Sequence, residues 1–164
     1  MLDLLPDLFD QYADDLQLVS LHWQSFGLKS VFHGQVVTVS CFEDNSKVKQ
    51  LLASPGKGRV LVVDGKGSMN KALLGDLIAK SAIDNQWEGI IIRGCIRDVA
   101  TINTLNLGVK ALGTHPIKTE KFDKGSVNIA LKIGQVTITP EMYIYADLNG
   151  VAVSHKALDI TNLS

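Results

Sequence analysis

A chain of 164 residues, 46% hydrophobic and 20% charged, is long enough to bury a real core within one domain. Its 16 basic and 17 acidic residues leave a formal net charge of −1 and form no basic stripe, so direct nucleic-acid binding is not expected. No apolar run approaches the roughly 20 residues of a membrane span. The acidic start MLDLLPDLFDQYADD lacks the basic region of a secretion signal, so a cytoplasmic protein with no membrane attachment is expected.

In chain order, residues 6–15 read as a short helix with Pro6 in its first turn. GQVVTVSC (34–41) is a strand rich in Val and Thr. EDNSKVKQLLAS (43–54) reads as a helix stopped by Pro55-Gly56. RVLVVD (59–64) is almost continuously apolar, the pattern of a strand buried on both faces. GKGSMN (65–70) is a loop. Over 76–86, Leu77, Ile78, Ser81, Ala82 and Ile83 share one helical face. EGIIIRGC (88–95) is a second buried strand, 99–106 a short helix and 108–115 a further strand.

After Pro116 the texture changes. Residues 117–125 are a charged loop, and 126–140 breaks at Gly134-Gln135 into a hairpin of two alternating strands. Residues 143–154 give two more short strands around a turn at Leu148-Asn149-Gly150. Alternating β/α units followed by antiparallel strands predict a single α/β domain over residues 1–164, with a second β layer. Cys41 and Cys95 lie far apart in sequence and are expected to be free buried thiols.

Several motifs fail on inspection. In GKGRVLVVDGKGSMN, Gly65-Lys66 is followed by Gly67 rather than Ser or Thr, and Asn70 stands where a dinucleotide fingerprint needs glycine. The stretch reads as a flexible turn, or as a loop flanking a small-anion site. His22, His33, His115 and His155 lack metal-ligand spacing, and neither Ser154-His155 nor Ser20-Leu21-His22 carries a nucleophile signature.

Gly75-Asp76-Leu77-Ile78 is more informative. Gly75 admits a close backbone approach, Asp76 can cap the helix, and the free N–H groups of a helix start can cradle a carboxylate. Twenty residues, enough for one helix and one strand, separate Asp76 from Arg97-Asp98. In a β/α unit the strand then ends level with the helix start, at the rim where α/β sheets bind ligands. Arg97 offers a planar fork to a carboxylate or keto oxygen, and Asp98 a hard oxygen to a divalent cation. The alternative is an Arg-Asp surface pair.

CFEDN (41–45), GKGRVLVVDGKGSMNKAL (56–73), NQWEGIIIRGCIRDV (85–99), LNLGVKALGTHPI (105–117) and MYIYADLNGVAVS (142–154) resemble, in order and spacing, the RraA-like family. That family holds metal-dependent 4-hydroxy-4-methyl-2-oxoglutarate aldolases and regulators of ribonuclease E activity. The resemblance implies a compact β/β/α sandwich of the swivelling-domain type, assembled as a homotrimer or a dimer of trimers. For an aldolase it implies Mg²⁺ or Mn²⁺ anchored by Asp98, and a small 2-oxo acid held by the backbone of Gly75, Asp76, Leu77 and Ile78. Arg97 then stabilises charge on the keto oxygen, during retro-aldol cleavage or oxaloacetate decarboxylation. Family regulators tend to lose the Asp after the Arg, which this chain keeps. Two positions depart from the enzyme pattern: Thr101 and Arg93 stand where family enzymes often carry acidic residues, which removes negative charge near the proposed metal. With the texture of CFEDN and NQWEG, they favour the other expectation, a non-enzymatic protein whose partner is ribonuclease E.

Overall fold

The computed structural model describes residues 1–163. Its centre is a ten-stranded sheet. β3 (Phe32–Ser40), β4 (Arg59–Asp64), β6 (Gly89–Ile96) and β7 (Val109–Thr114) run parallel in that order. β11 (Tyr143–Asp147) and β12 (Gly150–Ser154) extend the sheet antiparallel beyond β3, ending at β1 (Gln17–Leu18), and β2 (Gln24–Phe26) closes the far side on β7. β5 (Ala72–Leu74) adds to β6, and β8 (Ser126–Val127) to β3.

The continuous apolar runs are explained by burial on both faces. Leu61, Val63, Ile90 and Ile92 point to one side, where they meet Val48 and Leu52 of helix α2 (Ser46–Leu52), Ala79 and Ala82 of helix α3 (Asp76–Asp84), and Ile102 of helix α4 (Val99–Ile102). Val60, Val62 and Ile91 point the other way, onto the hairpin of β9 (Leu131–Ile133) and β10 (Val136–Ile138). Hairpin, sheet and helices make the expected β/β/α layers. A third core seats helix α1 (Leu5–Tyr12) on Tyr145 and Ala152.

The sheet also curls. β7 and β11 are separated in the strand order, yet the ammonium of Lys110 on β7 donates to Ser25 Oγ at 2.6 Å and to the Asp147 carbonyl at the end of β11. Burial pushes the Lys110 ammonium below its ordinary pKa, partly opposed by Asp147. The Asp147 carboxylate, fully buried, accepts the N–H groups of Leu4 and Leu5 at 2.8 Å each and so docks the N-terminal helix.

Two predicted elements differ. The strand expected from 126 is interrupted: Asn128 adopts a left-handed conformation, and Thr38 Oγ1 bonds both the N–H and the carbonyl of Ile129. Only Ser126–Val127 pairs with β3, and the hairpin starts at Leu131. Helix α4 stops at Ile102 because the N–H groups of Thr104 and Leu105 bond carbonyls only three residues back, tightening the last turn. Cys41 and Cys95 are free and buried. Among the described residues no helix is long and apolar enough to cross a membrane.

Candidate active site

The Arg97 N–H donates to the Leu74 carbonyl at 2.9 Å, which locks the end of β6 against the end of β5. Gly75 then turns the chain into α3, so the helix start and Arg97-Asp98 meet at the C-terminal rim of the parallel strands. A cleft of about 240 Å³ opens there, lined by Gly75, Asp76, Leu77, Ile78, Arg97 and Asp98. All the residues proposed from sequence for this site share one cavity.

The local geometry has a feature that sequence spacing did not show. Asp98 sits in the left-handed region, with φ 55° and ψ 40°. Asp tolerates that region better than most residues, because its short polar side chain bonds locally. The turn swings the carboxylate over the start of α3, where Oδ2 accepts the Asp76 N–H at 3.0 Å. The cap is therefore supplied by Asp98 and not by Asp76, the first helical residue; Gly75 at the N-cap has no side chain to offer. A Cβ on Gly75 would lie 2.7 Å from Asp98 Oδ2, so a side chain there would push the Asp98 carboxylate off the helix start. Arg97 Nε stands 3.8 Å from the same oxygen.

The N–H groups of Leu77 and Ile78 belong to the first turn of α3, where no intrahelical carbonyl is in reach. The Asp76 carboxylate meets the Leu77 N–H, so an anion that takes both groups at this positive helix end displaces that side chain from Leu77. Lys80 approaches Asp76 at 3.5 Å. Desolvation pushes the Asp76 carboxyl up, but hydrogen bonding with Asp98, the Lys80 ammonium and the Leu77 N–H outweigh it and hold the group below its ordinary range.

Neither Thr101 nor Arg93 lines the cleft. Arg93 pairs with Asp64 across β4 and β6 at 3.0 Å, beside Gly67, and so belongs to a neighbouring loop cluster. The charge differences read from sequence at these two positions therefore fall outside the cavity.

Sequence reasoning missed Asn45, Lys49, Lys118 and Lys121, which also line the cleft, with Ala53, Ala72 and Ser81. The usable signal was position: residues 41–45 follow β3 and residues 117–124 follow β7, both at the rim where β6 ends. A buried polar knot joins them. Asn45 Nδ2 donates to the Leu73 carbonyl at 3.0 Å, and Thr119 Oγ1 donates to Asn45 Oδ1 at 2.8 Å. Asp44 accepts Ser46 N–H, Ser46 Oγ–H, Phe122 N–H and Lys124 N–H. Burial alone would push the Asp44 carboxyl up; these bonds hold it down at about 2.

A carboxyl depressed in the folded state adds stability above its unfolded pKa, near 3.9, and that stability is lost as pH falls through the folded value. Wild type should lose stability between about pH 4 and pH 2, and Asp44→Ala should lack that component while costing about 2–4 kcal/mol at neutral pH through orphaned donors. Denaturant melts across that range test this.

Comparison with known proteins decides the family. The RraA-like family model, described as Aldolase/RraA, matches residues 5–153. The chain belongs to the RraA-like family. A protein of Shewanella oneidensis provisionally named 4-hydroxy-4-methyl-2-oxoglutarate aldolase is 56% identical over the whole of both chains. A Vibrio vulnificus protein of the same provisional name is 51% identical, over 96% of this chain and 99% of that one. Among solved structures, the RNA-processing inhibitor RraA of Thermus thermophilis has a TM-score of 0.93 at 33% identity, covering 99% of each chain. A Geobacillus kaustophilus structure, described as an S-adenosylmethionine:2-dimethylmenaquinone methyltransferase, has a TM-score of 0.92 at 47% identity over 94% of this chain and 96% of that one.

Proposed function

We propose that this RraA-like protein is a divalent-metal-dependent lyase. It cleaves acids of the 4-hydroxy-4-methyl-2-oxoglutarate type to pyruvate and decarboxylates oxaloacetate, in the cytoplasm. The observation that carries the reading is the convergence of the α3 N-terminus, Arg97 and Asp98 in one cleft.

The donor set fits Mg²⁺ or Mn²⁺. Asp98 is exposed, and its Oδ2 is engaged by the Asp76 N–H while Oδ1 makes no hydrogen bond among the described residues. Among the described residues no group of three or more His, Cys, Asp or Glu gathers around one point, so protein ligands would be few. One carboxylate plus waters and substrate oxygens suits a small hard cation that dehydrates reluctantly. When bound, the ion supplies Lewis-acid polarisation of the substrate's 2-oxo group.

The chain's own groups do the rest. Leu77 and Ile78 N–H groups hold the C1 carboxylate. As the C3–C4 bond breaks, its electron pair moves toward C2 and charge grows on the keto oxygen; the C4 hydroxyl gives its proton to solvent and becomes a carbonyl, and the enolate then takes a proton from solvent at C3. Arg97 faces that developing charge in a half-buried setting. A quinone would need a long apolar groove, and the S-adenosylmethionine sulfonium would meet Arg97 and three lysines here, so a small anion suits this cleft better.

A second reading is favoured by the likeness to the Thermus inhibitor: a non-enzymatic protein that binds ribonuclease E. Pyruvate release from oxaloacetate with and without Mg²⁺, run beside a ribonuclease E cleavage assay, separates the two. Metal-dependent release supports the lyase; inhibition without release supports the regulator.

Assembly as a homotrimer or a dimer of trimers is part of the proposal. It is supported by the exposed apolar side chains Phe42, Leu77, Ile117 and Phe122, on or next to segments that line the cleft. Light scattering at micromolar concentration is expected to give three or six chains; a monomer refutes it.

A further inference from the structure

Asn45 stands at the N-cap of α2, where an asparagine side chain ordinarily accepts an N–H of its own helix. It makes no such bond. Its amide is spent elsewhere: Nδ2 donates to the Leu73 carbonyl at 3.0 Å, and Oδ1 accepts the Thr119 hydroxyl at 2.8 Å. The Asn45 N–H in turn donates to Thr119 Oγ1 at 3.1 Å. One hydroxyl thus donates to and accepts from the same asparagine, a double task that a methyl group cannot take over. Thr119 and Asn45 are 2% and 4% exposed, so water does not compete for these bonds.

The clasp reaches the site by a short route. β5 is only three residues long. Asn45 holds its Leu73 carbonyl, and the Arg97 N–H holds its Leu74 carbonyl at 2.9 Å. The next residue is Gly75, where the chain turns into α3. Where the Leu77 and Ile78 N–H groups stand relative to Arg97 therefore depends on where β5 is held, and Thr119 orients the amide that holds it. Thr119 itself does not line the cleft, so it acts there only through Asn45. Without the hydroxyl, the Asn45 amide loses its partner and is free to cap α2, the bond its position offers.

We propose that Thr119 is a positioning residue: through Asn45 and β5 it sets the start of α3 at its working distance from Arg97. The inference deepens the lyase reading and rests on it for the reaction. One group holds the C1 carboxylate and the other meets the charge that grows on the keto oxygen, so their separation matters most as that charge develops. A misplacement of about 1 Å between groups that must act together costs on the order of 10²-fold in rate. Holding the carboxylate alone tolerates more. Loss of the clasp is therefore a loss in kcat more than in KM.

The test compares Thr119→Val, which keeps the shape and removes the hydroxyl, with Thr119→Ser, which keeps the hydroxyl. Thr38→Val is the control for stability. Thr38 is fully buried, and its Oγ1 likewise donates to one residue's carbonyl, that of Ile129 at 2.6 Å, and accepts the same residue's N–H at 2.9 Å, but it lies outside the cleft. With saturating Mg²⁺, Thr119→Val should lower kcat for pyruvate release by about 10–10²-fold and move KM by no more than about threefold. Thr119→Ser should restore kcat to within about threefold of wild type. Thr38→Val should melt earlier, as Thr119→Val does, and keep the wild-type kcat. Amide exchange at Arg97 and Asp76 should quicken in Thr119→Val alone. Thr119→Cys, whose thiol is a weak donor and acceptor, should fall between Ser and Val and serves if Thr119→Val does not fold. A wild-type kcat in Thr119→Val, or an equal loss in Thr38→Val, overturns the inference. If wild type itself releases no pyruvate, the lyase reading fails and exchange decides the clasp: quickening at Arg97 and Asp76 that Thr119→Ser reverses leaves it standing as what positions the cleft, and unchanged exchange removes it.

Discussion

Arg97→Lys is expected to lower kcat for pyruvate release while leaving the fold intact. The Arg97 backbone is fixed by its own hydrogen bond to Leu74, which the substitution does not touch. Its side chain is half-buried and 3.8 Å from Asp98, so little packing or pairing energy is lost. What changes is geometry. Lysine keeps the charge but replaces a planar fork by a point donor. Removing a donor aimed at a developing oxyanion costs on the order of 10²–10³-fold. Arg97→Ala should approach that range, and Arg97→Lys should fall short of it, at about 10–10²-fold. Coupled measurement of pyruvate with saturating Mg²⁺ reads the effect directly. Under the regulator reading Arg97 has no part in the contact, and Arg97→Lys should inhibit ribonuclease E cleavage as wild type does. An unchanged kcat in Arg97→Lys refutes the assigned role.

The parallel centre of the fold was legible in the sequence because burial on both faces leaves an unmistakable trace. Arg59–Asp64 and Gly89–Ile96 are almost uninterrupted by polar residues, and each alternates between two cores. β1, β2, β5 and β8 are only two or three residues long, too short for any period to register. Their existence depends on neighbours distant in sequence, such as Lys110 reaching Ser25. The site divides the same way. The helix start and Arg97-Asp98 could be paired because one helix and one strand of predictable length separate them. The 117–124 segment read as charged loop, since nothing in its own residues shows that Asp44 and Asn45, more than seventy positions earlier, tie it down. The left-handed turn at Asp98 was equally hidden, because it follows from the bond between its carboxylate and the start of α3.

Asp98→Asn should remove Mg²⁺-dependent turnover, by more than about 100-fold at limiting metal, with stability held within about 0.5 kcal/mol. The carboxylate has two tasks, and the substitution separates them. Asparagine tolerates the left-handed conformation as aspartate does, and its amide oxygen can still accept the Asp76 N–H that Oδ2 accepts in the native protein. The structural task is therefore kept. The proposed metal task is not, because a neutral amide oxygen replaces the anionic oxygen on which the hard cation depends. Asp98→Ala loses both: it places a residue without a local acceptor at φ 55° and orphans the Asp76 N–H. It should cost about 1–3 kcal/mol. Thermal melts order the two variants by stability, with Asn close to wild type and Ala below. Mn²⁺ titration followed by paramagnetic resonance orders them by affinity, with both far weaker than wild type. If Asp98→Asn binds Mn²⁺ and turns over at limiting Mg²⁺ as wild type does, the carboxylate is a helix cap only and the metal anchor lies elsewhere. If both variants lose stability equally, the cap is not what the left-handed turn secures.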